Sequence, residues 1–429
     1  MYIYVVKSGD TLTSIANNNG TTVQRLVELN GVTPNAQVVI GEALLIPSSS
    51  QTLYVVNSGD TLYKIAKKYG TTPEKLASLN GIGTASVLQI GQKLKVPASE
   101  KKSIEVNGYV QATSTTYKKV LVDDTRENID VLTYVAPFSF EIREDGTLKA
   151  PPLEPIISIA KENGTIPMLV LTNIVDGSFN TKLASTFLND KTIQQKLITN
   201  IISEARKLGM RDVHFDLENV APKDKEAYNQ FLRNVKSQLP SGYTLSTTLV
   251  PKYNANQKGA FYEAHDYKSQ GQIVDFVVIM TYDWGWQGGP PQAISPIREV
   301  KRVLEYAKSE MPASKIMMGQ NLYGFDWTLP FKEGNPPAKA VSQVGAMELA
   351  SRKNATIEYD EKAQAPFFYY TDDSGSRHVV WFEDARSFQA KFNLVKEEGI
   401  RGISYWKMGL RSPQNWNLLR DSFYVKKNG

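Results

Sequence analysis

The chain has 429 residues, of which 41% are hydrophobic and 22% charged, a composition typical of a folded protein with two or three domains. It has no cysteine, which excludes disulfides and thiolate catalysis, and its three histidines lack zinc-protease spacing. A net charge of +5 suits an anionic polymer as partner but is too weak to indicate nucleic acid. No apolar run reaches the ~18 residues of a membrane span, and the N-terminus shows no secretory signal pattern.

The N-terminal region contains two copies of one pattern, offset by 50 positions. Tyr4–Val6 recurs as Tyr54–Val56, and Ser8–Leu12 recurs as Ser58–Leu62. Each copy predicts a strand, two helices and a strand, because Asp or Thr can cap the first helix and Asn-Gly ends the second. Polar stretches at Ser48–Thr52 and Ala98–Ser103 are predicted linkers. We therefore expect domains at residues 1–48, 52–98 and 104–429.

The repeated letters SGDTL, IA, LN-G and IG followed by Pro resemble the LysM module over both copies, end to end. The resemblance implies binding of glycans that contain N-acetylglucosamine, such as peptidoglycan and chitin. Two copies would gain avidity on a repeating polymer. The alternative is a pair of small packing domains without a ligand.

The remaining residues alternate between strand-like and helix-like patterns. Eight strands are predicted: Glu105–Val110, Val131–Pro137, Ile166–Leu171, Asp212–Leu217, Thr244–Leu249, Phe276–Tyr282, Lys315–Tyr323 and Gly402–Met408. This alternation, without a GxGxxG loop, indicates an α/β fold of the (β/α)8 TIM barrel type rather than an open doubly wound sheet. Residues 326–380 do not fit a βα unit and contain a predicted hairpin, so we expect a small α+β insertion there.

Three polar residues alternate along the fourth strand: His214, Asp216 and Glu218. Alternate side chains share one face of a strand, so the two carboxyl groups, ~7 Å apart at their Cα atoms, face the same side. Each would perturb the other's pKa, and a carboxyl that stays protonated suits acid cleavage of a glycosidic bond. An ordinary half-exposed strand is the alternative. The position favours a site, because catalytic residues of such barrels lie at the C-terminal strand ends.

Two later strand ends carry aromatic and acidic residues. Met280 to Trp286 read Met-Thr-Tyr-Asp-Trp-Gly-Trp, and Tyr405-Trp406 end the last predicted strand. A tryptophan offers a flat face for a sugar ring, although each aromatic alone could equally belong to the core.

Together these motifs resemble glycoside hydrolase family 18. In the family's pattern D-x-x-D-x-D-x-E, Asp216 and Glu218 match the last two acidic positions. The M-x-Y-D motif and the tryptophan of strand eight are matched by Met280, Tyr282, Asp283 and Trp406.

The two earlier acidic positions of that pattern are occupied by Arg211 and His214. This variant resembles the spore cortex-lytic branch of the family, which also carries two N-terminal LysM modules. We expect His214 to hydrogen-bond or pair with Asp216 and to hold it ionised. A plain packing histidine is the alternative.

The resemblance implies substrate-assisted retaining hydrolysis, an exception to the scheme with two catalytic carboxylates. Glu218 would be the acid and then the base, Asp216 would orient the substrate's acetamido group, and Tyr282 would donate a hydrogen bond to it. No metal or organic cofactor is implied. The expected substrate-binding residues are Trp406, Asp283, Met280, Trp284, Trp286, Tyr323 and His214.

The predicted function is that of a peptidoglycan N-acetylglucosaminidase acting on spore cortex during germination, a monomer at the boundary of coat and cortex. One alternative is a chitinase or chitooligosaccharide hydrolase. The other is a non-catalytic glycan-binding coat protein, against which the presence of Glu218 argues.

Overall fold

Two small βααβ modules come first in the computed structural model, which describes residues 1–34, 37–47, 52–57, 59–69, 71–97, 101–259 and 261–427. The first module consists of β1 (Tyr2–Val5), α1 (Leu12–Asn18), α2 (Val23–Asn30) and β2 (Ala43–Ile46). The second consists of β3 (Thr52–Val55), α3 (Leu62–Lys68), α4 (Pro73–Asn80) and β4 (Lys93–Val96). In each module the two strands pair antiparallel, which confirms the predicted order of elements.

Local sequence explains the module helices. Thr11 and Thr61 accept hydrogen bonds from backbone amides of the first turn of α1 and α3. Gly31 and Gly81 adopt the left-handed conformation that ends α2 and α4. The predicted linkers lie largely outside the described residues; their described parts differ from the prediction, because β3 starts at Thr52 and strand pairing resumes at Lys102.

The rest of the chain alternates between strands and helices. As far as the seventh barrel strand the elements are β5 (Lys102–Gln111), α5 (Lys119–Asn128), β6 (Tyr134–Phe138), β7 (Phe140–Ile142), β8 (Leu148–Lys149), α6 (Ile156–Glu162), β9 (Ile166–Thr172), β10 (Ile174–Val175), β11 (Ser178–Phe179), α7 (Thr181–Asn189), α8 (Lys191–Leu208), β12 (Asp212–Asp216), α9 (Lys225–Gln238), β13 (Thr244–Leu249), α10 (Tyr267–Ile273), β14 (Phe276–Ile279), α11 (Ile297–Glu310) and β15 (Ile316–Asn321). After it come β16 (Tyr323–Leu329), β17 (Lys339–Ser342), α12 (Gln343–Arg352), β18 (Glu358–Asp360), β19 (Ala365–Thr371), β20 (Arg377–Trp381), α13 (Ala385–Glu398), β21 (Gly402–Trp406), α14 (Pro413–Ser422) and β22 (Phe423–Val425).

Eight parallel strands close into a barrel in the order β5, β6, β9, β12, β13, β14, β15 and β21, with β21 pairing β5. The predicted (β/α)8 barrel is therefore confirmed. Several strands are shorter than predicted: β12 stops at Asp216 and β14 at Ile279. Glu218 and Tyr282 thus lie on the loops that follow their strands, at the carboxyl end of the barrel, where barrel enzymes bind their substrates.

The alternation of side chains builds two layers. One set of strand residues, including Tyr109, Met168 and Phe276, fills the barrel interior. The alternate set, including Val213 and Phe215, packs outward against the helices. Burial on both faces explains why most barrel strands read as continuous apolar runs.

The predicted α+β insertion lies between β15 and β21. Its antiparallel sheet has the order β17, β16, β20, β19, β18, and the predicted hairpin is present, with Tyr370 opposite His378. Residues of this sheet and of α12, such as Phe368 and Met347, share one buried apolar cluster with Leu26 and Val39 of the first module. Within the described ranges, no helix is long and apolar enough to cross a membrane.

Candidate active site

A cleft of about 370 Å³ opens at the carboxyl end of the barrel and brings together residues from most of its strands. Seven of the predicted site residues line it: Asp216, Glu218, Met280, Tyr282, Asp283, Trp284 and Trp406. Sequence reasoning missed ten others: Tyr109, Gln111, Phe138, Ile174, Gly177, Phe179, Thr248, Pro251, Phe261 and Tyr262.

Glu218 stands at the lip of the cleft, two residues beyond the end of β12. Its backbone is held from both sides by Asn173, whose Nδ2 donates to the Glu218 carbonyl (2.9 Å) and whose Oδ1 accepts from the Glu218 amide (3.1 Å). Asn219 then turns the chain with a φ of 54°, a conformation that asparagine tolerates. Glu218 is therefore positioned by a buried amide from the neighbouring strand end as well as by β12.

Asp216 lies deeper than Glu218, with 5% of its surface exposed. Burial raises the pKa of Asp216 to about 6, and a hydrogen bond from Thr248 Oγ1 (2.5 Å) works against that rise. Burial, followed by the negative charges of Asp216 and Asp283, holds the pKa of Glu218 well above its usual range. The pair can therefore carry one proton on Glu218 near neutral pH, which is the state of a general acid.

His214 does not pair with Asp216, which corrects the prediction. Its Nε2 lies 2.7 Å from the Tyr109 hydroxyl and its Nδ1 lies 2.7 Å from Ser246 Oγ. Ser246 uses its only hydrogen to donate to Asp212 Oδ1 (2.7 Å). His214 Nδ1 must therefore donate to Ser246, and Nε2 accepts from Tyr109. One partner comes from the adjacent strand β13 and the other from β5, across the barrel interior; together they take both ring nitrogens, so none is left for Asp216.

The histidine is also neutral. His214 is fully buried, and burial lowers its pKa to about 3. Unlike the other predicted substrate contacts at this strand end, His214 does not line the cleft. Its contact with Tyr109, which does line the cleft, makes it part of the support beneath the site.

Tyr282 reaches the cleft because a glycine faces it. A Cβ on Gly319 of β15 would lie 2.5 Å from the Ile279 carbonyl oxygen and 2.9 Å from Cε1 of Tyr282. Burial, then the neighbouring Tyr109 and Asp216, keep the pKa of Tyr282 well above its usual range. The hydroxyl of Tyr282 is therefore available as a hydrogen-bond donor at any physiological pH.

Trp406 is fixed edge-on by two aromatic neighbours. The ring centroids of Phe138 and Tyr109 lie 4.9 Å and 5.5 Å from that of Trp406, with interplanar angles of 73° and 68°. Such edge-to-face contacts are favourable and restrict the orientation of the indole. Trp406 can present a fixed face to a sugar ring in the cleft.

Two further predicted substrate contacts do not line the cleft. Trp286 is 53% exposed, and its ring packs over the backbone of Gly288 and Gly289, where it completes a turn. Tyr323 is buried, and its hydroxyl donates to Asp283 Oδ1 (2.6 Å), so Tyr323 orients a cleft residue from behind. Within the parts of the chain that the structure describes, no group of three His, Asp or Glu side chains is placed to hold a metal ion.

Comparison with known proteins agrees with this geometry. The family model for glycosyl hydrolases family 18 matches residues 105–410, and the LysM domain model matches residues 4–47 and 54–97. The chain is 61% identical to the cortical fragment-lytic enzyme of Bacillus anthracis and 55% identical to that of Bacillus subtilis (strain 168). Each match runs over 428 residues and covers 100% of this chain and 99% of the relative.

A solved structure is similar over the whole length. The crystal structure of the Bacillus cereus spore cortex-lytic enzyme SleL superposes with a TM-score of 0.95 at 58% identity, covering 100% of this chain and 99% of that one. The prediction of a glycoside hydrolase preceded by two LysM modules is confirmed, and the chain belongs to glycosyl hydrolases family 18, with two LysM domains ahead of its catalytic barrel.

Proposed function

We propose that this protein is an N-acetylglucosaminidase that cleaves the peptidoglycan of spore cortex during germination, after an N-acetylglucosamine unit, with retention of configuration. The observation that carries the proposal is the pairing of Glu218, whose raised pKa keeps it protonated at the lip of the cleft, with a nearly buried Asp216 beneath it. The protonated carboxyl of Glu218 suits a general acid, and the shielded carboxylate of Asp216 suits a group that orients the substrate and stabilises positive charge.

The first role is that of the acid. Glu218 donates its proton to the glycosidic oxygen as the bond from that oxygen to the anomeric carbon breaks. The carbonyl oxygen of the substrate's own 2-acetamido group attacks the anomeric carbon and forms a cyclic oxazolinium ion. Water then attacks the same carbon, Glu218 removes its proton, and the acetamido group re-forms.

Asp216 is poorly suited to attack the sugar itself. It is 5% exposed, and its carboxylate accepts a hydrogen bond from Thr248. A carboxylate below the cleft can instead accept the acetamido N–H and stabilise the positive charge of the intermediate. Tyr282, which remains protonated, can donate to the acetamido oxygen, and Trp406 can support the ring at the cleaved position.

Two parts of the chain support the identity of the polymer. The chemistry above needs an N-acetyl group on the sugar before the cut, and LysM domains point to the same sugar. The relatives at 61% and 55% identity are named cortical fragment-lytic enzymes, which supports spore cortex as the substrate and the spore as the location. Nothing in the proposed chemistry requires a metal or an organic cofactor.

The test is product analysis with the purified full-length chain. Spore cortex fragments, vegetative peptidoglycan and chitin oligomers are incubated separately, reduced with borohydride and analysed by mass spectrometry. We expect reduced N-acetylglucosamine ends from cortex. Cleavage of chitin oligomers with cortex left intact would support a chitinase instead, and the absence of products from all three would support a binding protein.

The matched pair of variants is Glu218→Gln and Glu226→Gln. Both remove one negative charge from the same stretch of chain, but Glu226 is an exposed residue that pairs with Arg233. We expect Glu218→Gln to lower the rate by at least ~1000-fold, since it removes both acid and base, whereas Glu226→Gln keeps the parent rate. An unchanged rate in Glu218→Gln would refute its assignment as the acid.

A further inference from the structure

The two LysM modules differ in what covers the outer face of their second strand. In β2 all four residues are buried, whereas in β4 exposed and buried residues alternate. The outward positions are Ala43 and Leu45 in the first module, and Lys93 and Lys95 in the second. Burial on both faces is the mark of a strand enclosed between two layers.

The partner of that face in the first module is the barrel. Leu29 and Leu45 belong to the same apolar cluster as the barrel strands and helices. From α14, Gln414 Nε2 donates to Asn30 Oδ1 (2.9 Å) and to the Ala43 carbonyl (2.6 Å). Apolar burial and satisfied buried polar groups together make this contact resemble the interior of one domain.

The two parts also approach each other closely at two glycines. A Cβ on Gly31 would lie 2.7 Å from Cγ of Pro413, and one on Gly41 would lie 1.8 Å from the Ile357 carbonyl oxygen. Beside Gly41, the amide of Ile357 donates to the Ile40 carbonyl (2.9 Å). The equivalent of Gly31 in the second module, Gly81, has no atom within 4 Å of such a Cβ.

In the second module the corresponding face is open. Leu79, Val87 and Ile90 occupy the positions of Leu29, Gln37 and Ile40, and they are 42%, 84% and 70% exposed. Leu29, by contrast, is 1% exposed. The second module has its own apolar core and touches the first module, where Lys93 Nζ donates to Asn19 Oδ1 (2.5 Å). Its open face combines these apolar side chains with Lys95, which is exposed, while Lys93 is engaged by the first module.

We propose that the first LysM module is a structural part of the catalytic unit and that the second module alone holds the enzyme on its polymer, through the open face of Leu79, Val87 and Ile90. Apolar side chains can pack against sugar rings, and the exposed Lys95 complements the carboxylates of peptidoglycan peptides. The proposal rests on the proposed function for the identity of the polymer.

The experiment compares equivalent residues of the two modules in the full-length chain. Ile90→Ser and Ile40→Ser make the same change at matched positions, 70% and 48% exposed in the parent. Retention on insoluble cortex peptidoglycan and on chitin beads is measured at 4 °C, and hydrolysis is measured separately on soluble cortex fragments. We expect Ile90→Ser combined with Leu79→Ser to weaken retention at least ~10-fold with unchanged hydrolysis, and Ile40→Ser to retain parental binding.

A second pair tests the structural role. Leu45→Lys gives the first module the residue of the second, and Lys95→Leu makes the reverse change. Only Leu45→Lys should lower the midpoint of thermal unfolding, because Leu45 is fully buried.

Equal loss of retention from Ile40→Ser and Ile90→Ser, or none from Ile90→Ser, would overturn the proposal. Because chitin beads report binding without hydrolysis, failure of the proposed cortex activity would be seen separately.

Discussion

Gly319 provides a direct test of how Tyr282 is placed in the cleft. In Gly319→Ala the added carbon would lie 2.9 Å from Cε1 of Tyr282, whereas carbon atoms pack at ~3.5–4.0 Å, so the ring must withdraw by at least ~0.6 Å. The same carbon would lie 2.5 Å from the Ile279 carbonyl oxygen, so β14 and β15 must also separate. We expect the unfolding free energy to fall by ~1–3 kcal/mol, as in other overpacked cores.

The larger effect is expected on catalysis, because a displacement of ~1 Å in an active site can cost about 100-fold in rate. Initial rates of reducing-end release from soluble cortex fragments should show a fall in kcat/KM of ~10–100-fold. Gly345→Ala is the control, since the nearest atom to its added carbon is a side-chain oxygen, Ser342 Oγ, at 3.2 Å, and not backbone. A folded Gly319→Ala enzyme with a rate within twofold of the parent would refute the placement of Tyr282.

Three further predictions concern the floor and the support of the site. Burial raises the pKa of Asp216 to about 6, and its carboxylate is the proposed working form, so kcat/KM should fall as the pH drops through about 6. Thr248→Val removes a hydrogen bond that lowers this pKa, so the acidic limb of the pH profile should move to higher pH. Trp406→Leu should lower kcat/KM on oligomers by ~10–100-fold, equivalent to about 1.4–2.7 kcal/mol, without changing the pH profile. Ser246→Ala leaves the buried Nδ1–H of His214 without its partner, so urea unfolding should show a loss of ~1–3 kcal/mol.

The fold could be predicted because its signals are local and periodic. Strand-like runs repeat with helical segments between them, and the cap of α8 at Gly209 marks where the chain turns back into β12. The position of Asp216 follows from the alternation along β12, whereas Glu218 lies two residues beyond the strand and is held by Asn173. The repeat of the modules is visible by inspection. So is the replacement of Ala43 and Leu45 by Lys93 and Lys95, which indicates that these positions are buried in the first module and exposed in the second.

The partners of His214 could not be found in this way. Tyr109 is 105 residues away along the chain and Ser246 is 32 residues away, and only barrel closure brings both beside one imidazole. The walls of the cleft pose the same difficulty, because residues such as Phe179 and Tyr262 lie on short strands and loops without periodicity. Trp286 was predicted to line the cleft because the sequence around an aromatic residue is the same whether its side chain faces the cleft or packs on a turn.

The histidine at position 214 changes the electrostatics beneath the cleft relative to the acidic family pattern. A carboxyl there could share a proton with Asp216, whereas His214 is neutral and commits one nitrogen to Ser246 and the other to Tyr109. Asp216 is then left with Thr248 as its hydrogen-bond donor and Glu218 as the carboxyl beside it. The two carboxyls therefore titrate as one pair, and the proton that the reaction needs is retained on Glu218 because Asp216 carries the charge.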